Sequence, residues 1–283
     1  MRKGSLFFTD RGVISVKLLN KYSYIFKLGV LGGLEYRMNF LLSMFSAIFP
    51  ILIQFYLWKA VFVISGNHSQ FGYDYDRMIS YVIVAGIIAK FVACGFEWEM
   101  NQDIKEGKLN NYIIKPMSYM QYRLWSFFGG KVTQVFILSL VLCILGVINT
   151  SVRKVLSPQN ILLFVIALLL AMILNFLITY CVAVIAFWLQ EVWGIFIIVN
   201  LMFIFVSGGI FPLDVFGKTF MEVVKWLPFK YIVYVPVSLL IGNSSGDMLV
   251  EGFYIPAAWI LVLSLLSKFL WQKGMKNYIS AGG

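Results

Sequence analysis

Asn160–Trp188 reads NILLFVIALLLAMILNFLITYCVAVIAFW, 29 residues without one charged side chain. Backbone polar groups in lipid must be satisfied within their own segment, so such a run is a helix. At about 1.5 Å per residue it measures about 44 Å, against a hydrocarbon core of about 30 Å. The excess has to be absorbed by tilt or by protrusion into the cytoplasm. The rest of the 283-residue chain has the same character, with 60% hydrophobic and 13% charged residues. Soluble domains carry roughly 45–50% and roughly 25%. Working outward from 160–188, further apolar runs occupy about 39–63, 78–95, 129–149, 193–208 and 253–271. The expected fold is an all-α polytopic membrane protein with six spans, forming one transmembrane domain over 1–283. The opening MRKGSLFFTD does not read as a secretory signal, because its apolar run is too short and charges follow it.

The net charge of +10 is unevenly distributed. With the N-terminus inside, fifteen of the 23 cations fall on the inner side and six on the outer, while Lys59 and Lys90 lie within spans. The inner set includes Arg11, Lys17, Lys105, Lys115, Arg123, Lys131 and Lys268; the outer set includes Arg77, Arg153, Lys154 and Lys218. That bias places both termini in the cytoplasm. Basic flanks beside anionic lipid account for the charge without a nucleic-acid partner.

Residues 14–36 precede the first span. On a helical projection Ile14, Leu18, Leu19, Tyr22, Ile25, Phe26 and Gly29 share one face, and Lys17, Asn20, Tyr24 and Lys27 the other. This is the pattern of an interfacial elbow helix. Gly29, Gly32 and Gly33 permit a bend or a close helix contact, and Gly29 with Gly33 spells GxxxG, a weak signal for dimerisation. Beyond the fifth run, 209–242 is apolar but broken by Lys218, Glu222, Lys225, Pro228, Lys230 and Pro236. It reads as a pair of short helices dipping into the outer leaflet, a cap or gate, since irregular backbone at that depth must be covered.

No catalytic set emerges. Cys94, Cys143 and Cys181 lie inside apolar runs, and the single histidine, His68, sits in a loop. No metal or cofactor is expected. Gly107-Lys108 and Gly130-Lys131 invite a phosphate-loop reading, which requires glycine five positions before the second glycine and Ser or Thr after the lysine. Gln102 and Trp125 occupy the first of these positions, and Leu109 and Val132 the last, so neither holds nucleotide. Lys90 either snorkels to the inner boundary or pairs with Glu191. Asn175 and Asn200 are mid-span amides of the kind that join helices. Tyr73, Tyr75, Tyr81, Trp188 and Trp193 lie where aromatic belts would place them.

The informative interruption is Glu97–Pro116, EWEMNQDIKEGKLNNYIIKP, on the cytoplasmic side between the second and third spans. Ile104, Leu109, Ile113 and Ile114 recur at helical spacing among amides and charges. Gly107 divides this element into an acidic part and a basic part, and Lys115-Pro116 stops it. Such an element either docks into a cleft on another protein or packs as a solvated loop on the helix ends.

Asp103–Ser118, DIKEGKLNNYIIKPMS, resembles the cytoplasmic loop of ABC-2-type ABC transporter permeases. The closest pattern is a bacterial branch reading roughly D/E-I-x-x-G-x-L-D-x-x-L-x-K-P. Gly209–Phe216, followed by Leu227–Tyr231 and Pro236, resembles that branch's outer re-entrant segment, and Leu34–Phe40 its approach to the first span. The resemblance covers essentially the whole chain. It implies the permease half of an ATP-driven exporter in the bacterial cytoplasmic membrane, without its own ATP site. ATP and Mg would be used by a cytoplasmic ATPase dimer, and a second permease, the same or different, would complete the pathway in the lipid.

Within this resemblance the loop at 97–118 holds the coupling helix, with Gln102, Asp103, Glu106, Gly107, Lys108 and Leu109 as ATPase contacts. Asn110 departs from the acid usual there. Gly208, Gly209, Phe211, Pro212 and Pro228 would form the re-entrant gate. Spans two and five would line the path, with Asn200 a candidate contact, for an amphipathic peptide, lipid-like or drug-like substrate. A membrane immunity protein or a polytopic enzyme acting without an ATPase is the competing expectation.

Overall fold

The computed structural model describes residues 9–35, 37–65, 69–70, 72–148, 158–189, 191–241 and 246–278. His68, Arg153, Lys154 and both chain ends lie outside the described residues, as do the side chains of Ile14, Leu18 and Leu19.

Eleven helices follow one another among the described residues: α1 (Thr9–Glu35), α2 (Arg37–Ser65), α3 (Tyr75–Val92), α4 (Phe96–Lys105), α5 (Asn110–Ile113), α6 (Tyr119–Ile148), α7 (Pro158–Val184), α8 (Trp193–Val206), α9 (Lys218–Lys225), α10 (Tyr234–Ile241) and α11 (Gly246–Asn277). Three single 3-10 turns, Ile185–Phe187, Leu213–Phe216 and Phe229–Tyr231, join them, and β1 (Ser69–Gln70) pairs antiparallel with β2 (Tyr73–Asp74) before α3. A helix lies over each of the six apolar runs. Among the described residues three stretches are long and apolar enough to cross a membrane, Tyr75–Lys105, Gln159–Phe187 and Val250–Asn277; Phe49–Phe62 and Trp193–Val206 are shorter apolar helices.

Two boundaries differ from the hydropathy reading. α6 starts ten residues ahead of the run at 129, and α11 seven ahead of the run at 253. Hydropathy sees only where the apolar window begins. A helix continues until its backbone is broken, and the polar and aromatic residues from Tyr119 onward contain no breaker.

α7 is the centre of the fold. Ala171, Leu174, Phe176, Ala183 and Val184 are fully buried, and the helix packs against α3, α4, α10 and α11. All eight residues of α10 are buried as well. The segment from α8 to α10 turns at Gly208, whose φ of +81° is costly for any residue with a side chain. A Cβ there would also stand 2.7 Å from the Tyr81 hydroxyl. Tyr81 donates to the Gly208 carbonyl at 2.7 Å, and the Tyr234 N–H donates to the Ser207 carbonyl at 2.9 Å. The turn is thereby tied to both α3 and α10.

α1 runs alongside the first half of α6. Lys21 donates to the Pro116 carbonyl, Tyr22 packs on Trp125 at 5.7 Å, and Gly33 meets Thr133. At the centre the two backbones touch. A Cβ on Gly29 would fall onto the Ser126 carbonyl, and one on Gly129 onto the Phe26 carbonyl. The GxxxG at Gly29 and Gly33 therefore serves a contact within the chain, where small residues let helix backbones approach.

Substitution tests this contact with an internal control. Gly29→Ala and Gly129→Ala should each cost about 1–3 kcal/mol through overpacking, read as a lowered Tm of the detergent-purified chain. Gly32→Ala, whose Cβ meets nothing within 4 Å, should leave the Tm unchanged or raise it.

Candidate functional site

The loop at 97–118 is a built structure, with α4 as its first arm. Phe96 packs on Phe176 of α7 with ring centroids 5.0 Å apart, and Trp98 stands edge-on to Phe196 of α8 at 5.1 Å. The polar side of α4 is held by Arg123, one turn into α6 and with a side chain only 7% exposed. Its guanidinium donates to Asp103 at 2.6 Å and to Glu99, and its Nε donates to the Tyr119 hydroxyl at 2.8 Å. Tyr119 in turn donates to Asp103 at 2.7 Å. Burial, assisted by Asp103 and opposed by Arg123, raises the Tyr119 phenol well above its ordinary value, so its hydroxyl remains a donor. The Tyr119 ring stacks on Trp271 of α11, 5.3 Å away and tilted by 9°. One cation thus ties α4 to α6, and one ring ties both to α11.

The expected coupling residues divide into two sets around this clamp. Asp103 points inward to Arg123, and Leu109 is fully buried, its N–H donating to the Asp103 carbonyl at 2.9 Å. Gln102, Glu106 and Lys108 face outward. Glu106 and Lys108 form an exposed ion pair at 2.5 Å, a type worth about 0–1 kcal/mol at most. Gly107 makes the turn between α4 and α5 at φ +73°, a conformation that strains residues bearing a Cβ. At the end of α5 the tip carries Ile113 and Ile114, 51% and 84% exposed. Lys115 covers the Tyr112 ring at 4.5 Å, and Tyr112 stands edge-on to Tyr119 at 5.1 Å.

The other end of α4 begins at a break. Between Val92 and Phe96 the helix is interrupted, freeing carbonyls that would otherwise be bonded. Asn175 of α7 donates to the Val92 carbonyl at 2.8 Å, and Lys131 of α6 donates to the Ala93 carbonyl at 2.7 Å. Asn175, read from sequence as a helix-joining amide, makes this one interhelical cap.

Beside the break, α2, α3, α7 and α8 enclose a cavity of about 520 Å³. Gln54, Lys90, Glu97, Asn175 and Asn200 line it among apolar side chains. Gln54 Oε1 and Glu97 Oε2 are buried there without a hydrogen-bond partner. Asn200 is exposed on α8 and reaches the same wall. No ion pair between Lys90 and Glu191 forms among the described residues. Among the expected gate residues, Gly208 makes the turn already described and Gly209 lines the cavity. Phe211 stands edge-on to Trp58 of α2 at 6.0 Å, while Pro212 and Pro228 are buried. No cluster of three or more His, Cys, Asp or Glu able to hold a metal occurs among the described residues.

Sequence reasoning missed Arg123, Tyr119 and Lys131 as site residues, counting both cations toward orientation and weighing Lys131 otherwise only as a phosphate-loop lysine, which it rejected. The available signal was Arg123 four residues after Tyr119, which puts both side chains on one helix face toward the acids of α4.

Removing the clamp should loosen the loop without unfolding the bundle. Arg123→Gln leaves Asp103 buried without its cation, a cost of roughly 3–5 kcal/mol. Amide exchange over 96–113 should accelerate at least 100-fold while that of α7 stays unchanged. Unchanged exchange in the loop would refute the clamp.

No curated protein gives a significant match to the chain. A family model described as ABC-2 family transporter protein matches residues 48–282. That match covers the loop, the break and the cavity together with every helix from α3 to α11, and the chain belongs to the ABC-2 family of transporter proteins.

Proposed function

We propose that this chain is the transmembrane permease subunit of an ATP-driven exporter in a bacterial cytoplasmic membrane, with six spans and both termini cytoplasmic. The observation that carries the reading is the exposed apolar tip of the loop, next to the Tyr112 ring that packs on Tyr119. Ile113 and Ile114 present apolar surface to solvent at a place where the backbone is fixed by a buried charge cluster. An apolar anchor on a prepositioned support is what a docking surface requires. The occupant is a cytoplasmic ATPase dimer, which binds ATP and Mg in place of this chain.

On this reading Gln102, Glu106, Gly107 and Lys108 form the contact surface, and Asp103 and Leu109 hold it from within. Movement imposed on the tip passes through α4 to the break at residues 93–95 and so to the wall of the cavity between α2, α3, α7 and α8. That cavity is the path for an amphipathic substrate, with Asn200 on its wall, and α8 continues into the gate at Gly208–Pro212. A second permease subunit completes the path.

The experiment is to purify the chain with its natural ATPase. Ile114→Asp, or Asp103→Lys with Glu106→Lys, should reduce ATPase stimulation at least 10-fold, and Ile114→Asp should do so with an unchanged Tm. Normal association and stimulation by Ile114→Asp would remove the docking assignment. Asn200→Trp should lower substrate-stimulated turnover while leaving ATPase association intact.

A further inference from the structure

A second cavity, also about 520 Å³, opens on another side of the bundle between α6 and α7, with Phe91 of α3 and Leu239 and Leu240 of α10 at its floor. Its size falls within the roughly 300–1,000 Å³ of small-molecule sites. Lys131 and Cys143 lie twelve residues apart along its α6 wall, as do Asn160 and Met172 along α7. The groove therefore runs about 18 Å at the helical rise, close to the ~15 Å that one leaflet contributes to the hydrocarbon core. Its walls are aliphatic and aromatic apart from Ser139, Cys143, Asn160 and, at one end, Lys131.

Lys131 is the unusual member. It is 8% exposed, and none of the ion pairs among the described residues includes it. Two of its N–H donors go to the Ala93 carbonyl and to Gln134 Oε1 at 3.2 Å, and the ring of Phe127 lies 5.0 Å away. An ammonium has three donors, so one remains, along with a full charge that neutral partners do not balance. Lys131 also falls in the first turn of the span read at 129–149, at the inner boundary. An acyl-length apolar groove ending in an unbalanced cation at headgroup depth is complementary to one class of molecule.

We propose that this groove seats one acyl chain of an anionic phospholipid from the inner leaflet, with the Lys131 ammonium taking a phosphate oxygen. The choice of the inner leaflet rests on the orientation proposed above; the groove and its cation do not depend on the transport reading. The same ammonium caps the break ahead of α4, so the lipid headgroup sits on the joint that carries the cytoplasmic loop.

The test uses the full chain in detergent, exchanged against phosphatidylglycerol or phosphatidylcholine of matched chains, with retained lipid counted by native mass spectrometry. Wild type and Lys131→Arg should retain phosphatidylglycerol at least 10-fold over phosphatidylcholine. Lys131→Gln should abolish that preference, and Leu169→Trp, which fills the groove away from the break, should reduce retention of both lipids. Equal retention of the two lipids by wild type overturns the proposal, as does an unchanged preference in Lys131→Gln or unchanged retention in Leu169→Trp. Selective retention of oleate over phosphatidylglycerol overturns the phospholipid assignment.

Discussion

The loop between α3 and α6 depends on the burial of one guanidinium. Arg123 is shielded from water, and it is tolerable there only because Asp103, Glu99 and Tyr119 surround it. Charge-assisted bonds of this kind are directional as well as strong, so they fix angles along with distances. The consequence extends beyond α4 and α6, because the phenol in the cluster is also the ring that lies on Trp271. The helix that leads into the loop, the helix that leaves it and the last helix of the chain are therefore positioned by one polar cluster.

The second constraint is the break at 93–95. A carbonyl freed inside the packed protein must find a donor from the protein itself. Here a neutral amide on α7 and an ammonium on α6 supply them from two different helices. The break is thus a defined joint, and the two large cavities lie on either side of it. Cys94 and Glu97 contribute to one and Lys131 to the other.

Part of this was legible in residues alone. The apolar runs mark where helices lie, since hydropathy and helix length are properties of a single segment. Gly107 was legible as a division because a positive φ has a residue type of its own, and Lys115-Pro116 as a stop because proline restricts its predecessor. The inward direction of Asp103 was not legible. On α4 an acid facing solvent and an acid facing a cation twenty residues later obey the same periodicity. The Gly29–Gly129 contact was equally hidden, since it joins glycines one hundred residues apart and each half alone reads as a weak motif. Lys131 carried two readings at once: its charge fitted the inner-side bias, while its burial is decided only by tertiary packing.

The backbone contact between α1 and α6 also has a meaning in time. α1 leaves the ribosome before α6, and the glycines that receive it lie at 129 and 130, about one hundred residues later. At roughly 5–20 residues per second of synthesis, α1 waits roughly 5–20 s for its seat. During that interval its own sequence must keep it in a safe place. An amphipathic helix with lysines along one face has such a place at the membrane surface. The lysine pattern of α1 suits that surface, and its glycines suit the final seat against α6.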